Sequence, residues 1–179
     1  KRGDALRPEH QYSHSVDGIL GTIGNSPLIR LSRFLEETDV EFFAKMESFN
    51  PGGSAKDRPA IRMISEAMRT GRVTRASTVV ESSSGNMGIG LAQACRYFGI
   101  PFVCVTDPHA QPQNIAIMRA LGAHIDFVSE AIDGSFLAAR LRRVKQILSR
   151  TKNSFWPNQY ANLDNPRSHR FGTMKEIDD

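Results

Sequence analysis

The chain has 179 residues, of which 40% are hydrophobic and 23% charged, with ten Phe, three Tyr and one Trp. That is enough apolar material for one sizeable domain, or for a small domain plus part of a second, and it excludes a disordered tail. A formal charge of +4 would admit nucleic-acid binding, but no aromatic platform or nucleic-acid module accompanies it. No apolar run reaches the roughly eighteen residues of a membrane helix, and no secretory apolar stretch follows KRGDALRPEHQ, so a cytoplasmic protein without a membrane partner is expected.

The first fifteen residues are polar and read as a loosely held arm. In GTIGNSPLIRLSR an Asn-Ser-Pro turn leads into a short strand through Leu28, Ile29 and Leu31. VEFFAKM, residues 40 to 46, is the next strand, and after the loop SFNPGGSAKD a helix is predicted over 58 to 68, with Pro59 in its first turn and Gly71 ending it. From there the period alternates. Strands are predicted over 77 to 81, 101 to 105 and 124 to 128, and helices over 87 to 98, 113 to 121 and 135 to 150. A βαβαβα series with short connections gives an α/β fold with a parallel sheet flanked by helices. In the last helix Leu137, Leu141, Val144 and Leu148 recur at helical spacing. That arrangement places most of Arg140, Arg142, Arg143, Lys145, Arg150 and Lys152 on a solvated face, or on one that attracts anionic substrates. After Asn153 the run SFWPNQYANLDNPRSHRFGTMKEIDD is polar and turn-rich, and reads as a functional or interdomain segment.

Two loops carry the chemistry. PGGS bends freely and sets Lys56 at a loop-to-helix junction. A lysine that forms an imine must shed its proton, which a nearby cation or the positive end of a helix favours. Spacing alone does not separate that role from a surface lysine in an ordinary loop. A nucleotide-binding P-loop is excluded, because Ala55 precedes and Asp57 follows the lysine where Gly and a hydroxyl are needed. ESSSGNMGIG, residues 81 to 90, falls where a strand yields to a helix. The hydroxyls of Ser82, Ser83 and Ser84 and the amides around Gly85 and Asn86 would converge there on a carboxylate or phosphate. The glycines read G-x-x-G-x-G, against the G-x-G-x-x-G of a dinucleotide fold, although Asp107 ends the following strand at about the right distance. His10, His14, His109, His124 and His169 lack metal-site spacing, and Cys95 and Cys104 read as buried small hydrophobes, so no metal is expected. Met63, Met68, Met87 and Met118 read as core filler, and Trp156 and Tyr160 as core or pocket residues.

Together these segments resemble the cysteine synthase family of pyridoxal phosphate enzymes, the fold-type II or tryptophan-synthase-β-like group. The resemblance rests on GNSPLIRL, KMESFNPGGSAKDR, ESSSGNMGIGLA, MRALGA and NQYANLDNPRSH, in that order. It implies pyridoxal 5'-phosphate as cofactor, with Lys56 as the Schiff-base lysine and Asn86 beside the cofactor 3'-oxygen. It also implies that Ser83, Ser84, Gly85, Asn86 and Met87 grip the α-carboxylate of an amino-acid substrate together with Gln159. The implied reaction is β-replacement: the donor amine displaces Lys56, the freed lysine takes the α-proton, the β-group departs and a nucleophile adds. The serines before Gly85 and the run NSFWPNQYAN look most like the siderophore-precursor branch, which joins O-phospho-L-serine to L-glutamate to give N-(2-amino-2-carboxyethyl)-L-glutamate. Cysteine synthesis from O-acetyl- or O-phospho-L-serine and sulfide is the alternative. A noncatalytic binding or regulatory half-domain is another. Met87 stands where cysteine synthases more usually carry a hydroxyl. The resemblance also implies a homodimer and a chain covering about the first half of the family fold. In that fold residues 1–44 are an arm and the start of the larger domain, 45–155 the small mobile domain, and 156–179 the crossover back to an incomplete larger domain. The family's glycine-rich phosphate cup and pyridine-nitrogen partner are expected beyond FGTMKEI.

Overall fold

The computed structural model describes residues 15–33 and 39–178; most of the expected N-terminal arm lies outside them. Two short strands, β1 (Leu28–Arg30) and β2 (Phe43–Lys45), pair antiparallel with Leu28 opposite Lys45 and Arg30 opposite Phe43. Helix α1 (Asp57–Arg69) follows, its buried Ala60, Met63, Ile64 and Ala67 spaced as one apolar stripe. Past its C-cap Thr70 the chain reverses at Gly71, whose φ of 72° a side chain would resist.

The main sheet is built from β3 (Thr78–Ser82), β4 (Phe102–Thr106), β5 (His124–Phe127) and β6 (Ser154–Phe155), all parallel, in the order β5-β4-β3-β6. The predicted crossovers are α2 (Asn86–Phe98), α3 (Pro112–Ala120) and α4 (Phe136–Arg150), each within one or two residues of its expected ends. Alternating residues of β3 supply both faces. Val79 joins α1, α2 and α3 in the larger core with Leu91, Cys95, Phe102, Cys104 and Met118, while Val80 joins Val105 and Val144 under α4. Each such side chain contributes roughly 1.5–3 kcal/mol by leaving water. Met63, Met87 and Met118 are buried core residues, and Met68 packs against the core. Both cysteines are buried and free, and burial pushes each thiol up to about 12.

The polar, turn-rich C-terminal segment contains short regular elements that its sequence did not announce. Ser154 and Phe155 form β6 by pairing with Thr78 and Val79, and α5 (Asp164–Ser168), a π-helical turn (His169–Thr173) and α6 (Met174–Asp178) follow. A two-residue strand has no period of its own and exists only through a neighbour more than seventy residues away. Helix α5 packs across α1, which returns the chain to the helix that Lys56 opens. Among the described residues no helix is long and apolar enough to cross a membrane.

Candidate active site

Lys56 is the N-cap residue of α1; its N–H donates to Ser54 Oγ at 3.1 Å and its carbonyl accepts from Ala60 N at 3.1 Å. Asp57, 1% exposed, accepts from Gly52 N and so folds the glycine turn back onto the helix start; burial pushes its carboxyl up. Gly90 lets α2 pass this junction closely. A Cβ there would stand 2.9 Å from Ala60 Cβ and 3.1 Å from the Lys56 carbonyl oxygen. Lys56 itself is exposed, and no carboxylate among the described residues pairs with its amine.

A cleft of about 390 Å³ opens at this point. The PGGS loop lines it with Ser54, Ala55 and Lys56, the β3–α2 junction with Ser83, Ser84, Gly85, Asn86 and Met87, and other elements with Arg140, Gln159 and Tyr160. All seven residues singled out by the family motifs therefore line one cavity, although they come from three separate segments. Their side chains are not equivalent. Ser83 is buried and its hydroxyl accepts from Gly88 N at 2.9 Å and Gly85 N at 3.2 Å, so it caps α2. Ser82 is fully buried and its hydroxyl has no partner. Of the three serines that were expected to converge on a ligand, only Ser84 keeps a partly exposed hydroxyl outside this capping. Asn86 is exposed and opens α2, whose first N–H groups lack intrahelical acceptors. The Met87 side chain is buried in the core, leaving backbone as its cleft contribution. Gln159 Nε2 donates to the Ser82 carbonyl at 2.8 Å.

Arg140 was not foreseen as a cleft residue. Its side chain is only 11% exposed, with Nε 3.0 Å from Asp107 Oδ2 as an ion pair that lacks hydrogen-bond geometry. The signal was present: Arg140 lies one helical turn before the fully buried Val144, and so on the inward flank of α4. Arg143, one of the six basic residues of this segment, forks onto Asp126 at 2.8 Å for both contacts. Asp107, which a dinucleotide fold would aim at a ribose, instead holds Arg140 and accepts from His109 N. Trp156 packs against the second core, whereas Tyr160 lines the cleft.

Beneath α1 lies a buried ionic cluster. Arg58, 5% exposed, forks onto Glu47 at 2.7 and 2.8 Å and onto Glu176 at 2.6 and 2.7 Å, while Lys45 reaches Glu176 at 2.8 Å. Burial pushes the Glu47 carboxyl up, but hydrogen bonds from Arg58, Ser26 and Asn50 outweigh it and hold it low. Hydrogen bonds from Arg58 bring Glu176 down to about 2. The cluster ties β2, the start of α1 and α6 together two residues from Lys56. His169, in the π-helical turn, accepts or donates at 3.0 Å to Thr173 Oγ1; burial and then the Lys56 charge push its imidazole down.

The sequence matches the model for the pyridoxal-phosphate dependent enzyme family over residues 19–179. An N-(2-amino-2-carboxyethyl)-L-glutamate synthase from Cupriavidus metallidurans is 42% identical over 162 residues, 90% of this chain and 48% of that protein. Among solved structures, an O-ureido-L-serine synthase superposes with a TM-score of 0.83 at 33% identity, covering 92% of this chain and 50% of the other. A hydrogen sulfide-producing enzyme from Fusobacterium nucleatum gives 0.81 at 30% identity, covering 92% and 52%. The chain thus spans about half the length of the relatives it matches. With its parallel sheet flanked by helices, the chain belongs to the pyridoxal-phosphate dependent enzyme family and has the tryptophan-synthase-β-like, fold-type II architecture.

Proposed function

We propose that the protein replaces the β-substituent of an O-activated L-serine, taking O-phospho-L-serine and L-glutamate to N-(2-amino-2-carboxyethyl)-L-glutamate and phosphate. The observation that carries this reading is the single cleft that joins Lys56, the start of α2, Gln159 and Arg140. Its donor set fits pyridoxal phosphate: an amine without a carboxylate partner for the aldehyde carbon, and the exposed Asn86 amide for the ring 3'-oxygen. When bound, the cofactor supplies an electron sink for charge developing at the substrate α-carbon. Lys56 Nζ would hold the cofactor and, as a free amine, would take the α-proton, because holding the two groups in one cleft makes the transfer effectively unimolecular. Ser84, the first amides of α2 and Gln159 orient the α-carboxylate. The Arg140 guanidinium supplies a cation for a second anionic group, as the phosphate of the donor or the side-chain carboxylate of glutamate requires. The 42% identity to a synthase of that name supports the same choice; a place in siderophore or diaminopropionate synthesis and a homodimer belong to the same proposal.

Cysteine synthesis is the second reading, favoured by the likeness to a hydrogen sulfide-producing enzyme. The test is product identity. The protein loaded with pyridoxal phosphate is given O-phospho-L-serine with either glutamate or sulfide, and the products are identified by mass spectrometry. The aminocarboxyethyl-glutamate is expected, and cysteine alone overturns the assignment. Lys56→Ala is expected to abolish the visible absorbance that the cofactor acquires on the wild-type protein. An unchanged band would remove Lys56 from its role.

A further inference from the structure

Glu81 is fully buried near the end of β3, and none of the chemistry above uses it. Among the described residues it has no cationic partner; its carboxylate is surrounded by N–H donors instead. Oε1 accepts from Ser82 N at 2.8 Å and from Trp156 Nε1 at 2.9 Å, and Oε2 accepts from Gln159 N at 3.1 Å. Two of these donors belong to the segment that arrives from β6, more than seventy residues along the chain. Between them Asn158 turns at a φ of 51°, a left-handed angle that asparagine adopts more readily than most residues. One residue further on, the Gln159 side chain donates to the Ser82 carbonyl. Both the backbone and the side chain of Gln159 are therefore anchored on the last two residues of β3, directly before the Ser83–Met87 junction that lines the cleft. Burial raises the Glu81 carboxyl, and the donors from Trp156, Ser82 and Gln159 oppose that rise.

We propose that Glu81 is a positioning residue: it clamps Trp156 and Gln159 so that the Gln159 amide meets the α-carboxylate of the amino-acid substrate, and so sets the affinity for that carboxylate. The inference rests on the reading of the cleft as a substrate site. Glu81→Gln keeps the shape but turns an N–H toward Trp156 or Gln159, setting donor against donor, so the clamp opens without a cavity.

The test is calorimetric binding to the cofactor-loaded protein of two amine ligands that carry no β-leaving group and so cannot turn over. These are L-2-amino-4-phosphonobutanoate, which mimics O-phosphoserine, and 3-aminopropylphosphonate, which lacks only its carboxylate. Glu81→Gln is expected to weaken the first about tenfold and leave the second within about twofold, the size of one hydrogen bond to a charged group. Gln159→Ala is expected to show the same selectivity, and the double variant to be no weaker than Gln159→Ala alone, because the two residues act through one contact. Equal losses for both ligands, no loss, or additive effects overturn the positioning role. A wild-type protein that binds neither ligand overturns the reading of the cleft itself, and this inference with it. If Glu81→Gln does not fold, Trp156→Phe removes one donor and keeps the ring. An about threefold loss confined to the carboxylate ligand then supports the clamp, and an unselective loss or none overturns it.

Discussion

Replacing Glu176 by Gln removes one negative charge from the cluster under α1, leaving Arg58 with Glu47 alone and taking from Lys45 its carboxylate partner. Glu176 accepts two hydrogen bonds from Arg58 and one from Lys45, and its side chain is 18% exposed, so little solvent screens the change. Lowering its carboxyl from 4.5 to about 2 corresponds to about 3 kcal/mol of stability in the ionised state. Because the folded value is depressed, that contribution is complete above the unfolded value of 4.5 and is lost as pH falls through about 2. At pH 3 only about 1.4 kcal/mol remains. Glu176→Gln is therefore expected to cost about 3 kcal/mol at pH 7, or about 6–12 °C in Tm for a domain of this size, and the gap to wild type is expected to narrow by about 2 kcal/mol at pH 3. Urea unfolding of both proteins at the two pH values measures this. A gap that stays the same at pH 3 and pH 7, or one below about 1 kcal/mol at pH 7, refutes the claim that Glu176 holds its charge against Arg58.

Gly90→Ala brings a methyl group against Ala60 and the Lys56 carbonyl, neither of which is the end of a flexible side chain; a loss of about 1–3 kcal/mol is expected in thermal melts, and an unchanged Tm contradicts the close helix approach. Among the described residues Arg140 is the one cation besides Lys56 that lines the cleft; on the proposed reaction Arg140→Gln is expected to raise KM for O-phospho-L-serine at least about tenfold with a smaller change in kcat, and an unaltered KM places the phosphate elsewhere. Cys95 and Cys104, with thiols pushed to about 12 by burial, are expected to ignore a disulfide reagent at pH 8 in the folded protein and to react as two equivalents on denaturation; fast reaction of the native protein refutes their burial.

The alternation of strand and helix from residue 77 to 150 was legible because each element carries its own pattern: STVVE and the nearly unbroken apolar run FVCV read as strands, and Leu91 and Cys95 repeat along a helix. The two site loops were legible too, since Lys56 and the Ser83–Met87 run sit at junctions that glycine, proline and the change of period mark locally. Other parts depend on residues distant in sequence and leave no periodic trace. β6 exists only as a partner of β3. Arg140 lies on the inward flank by its spacing from Val144, but its ion pair with Asp107, just past β4, has no local signal. Glu81 and Gln159 lie 78 residues apart, and Arg58 and Glu176 118 apart. Sequence by itself therefore determined most of the elements and the two loops that meet at the cleft, with Lys56 in one of them. Tertiary structure decided which charges are buried, which hydroxyls are taken up in capping and which residue holds Gln159 at the cleft, because burial and hydrogen-bond pairing are properties of the assembled chain.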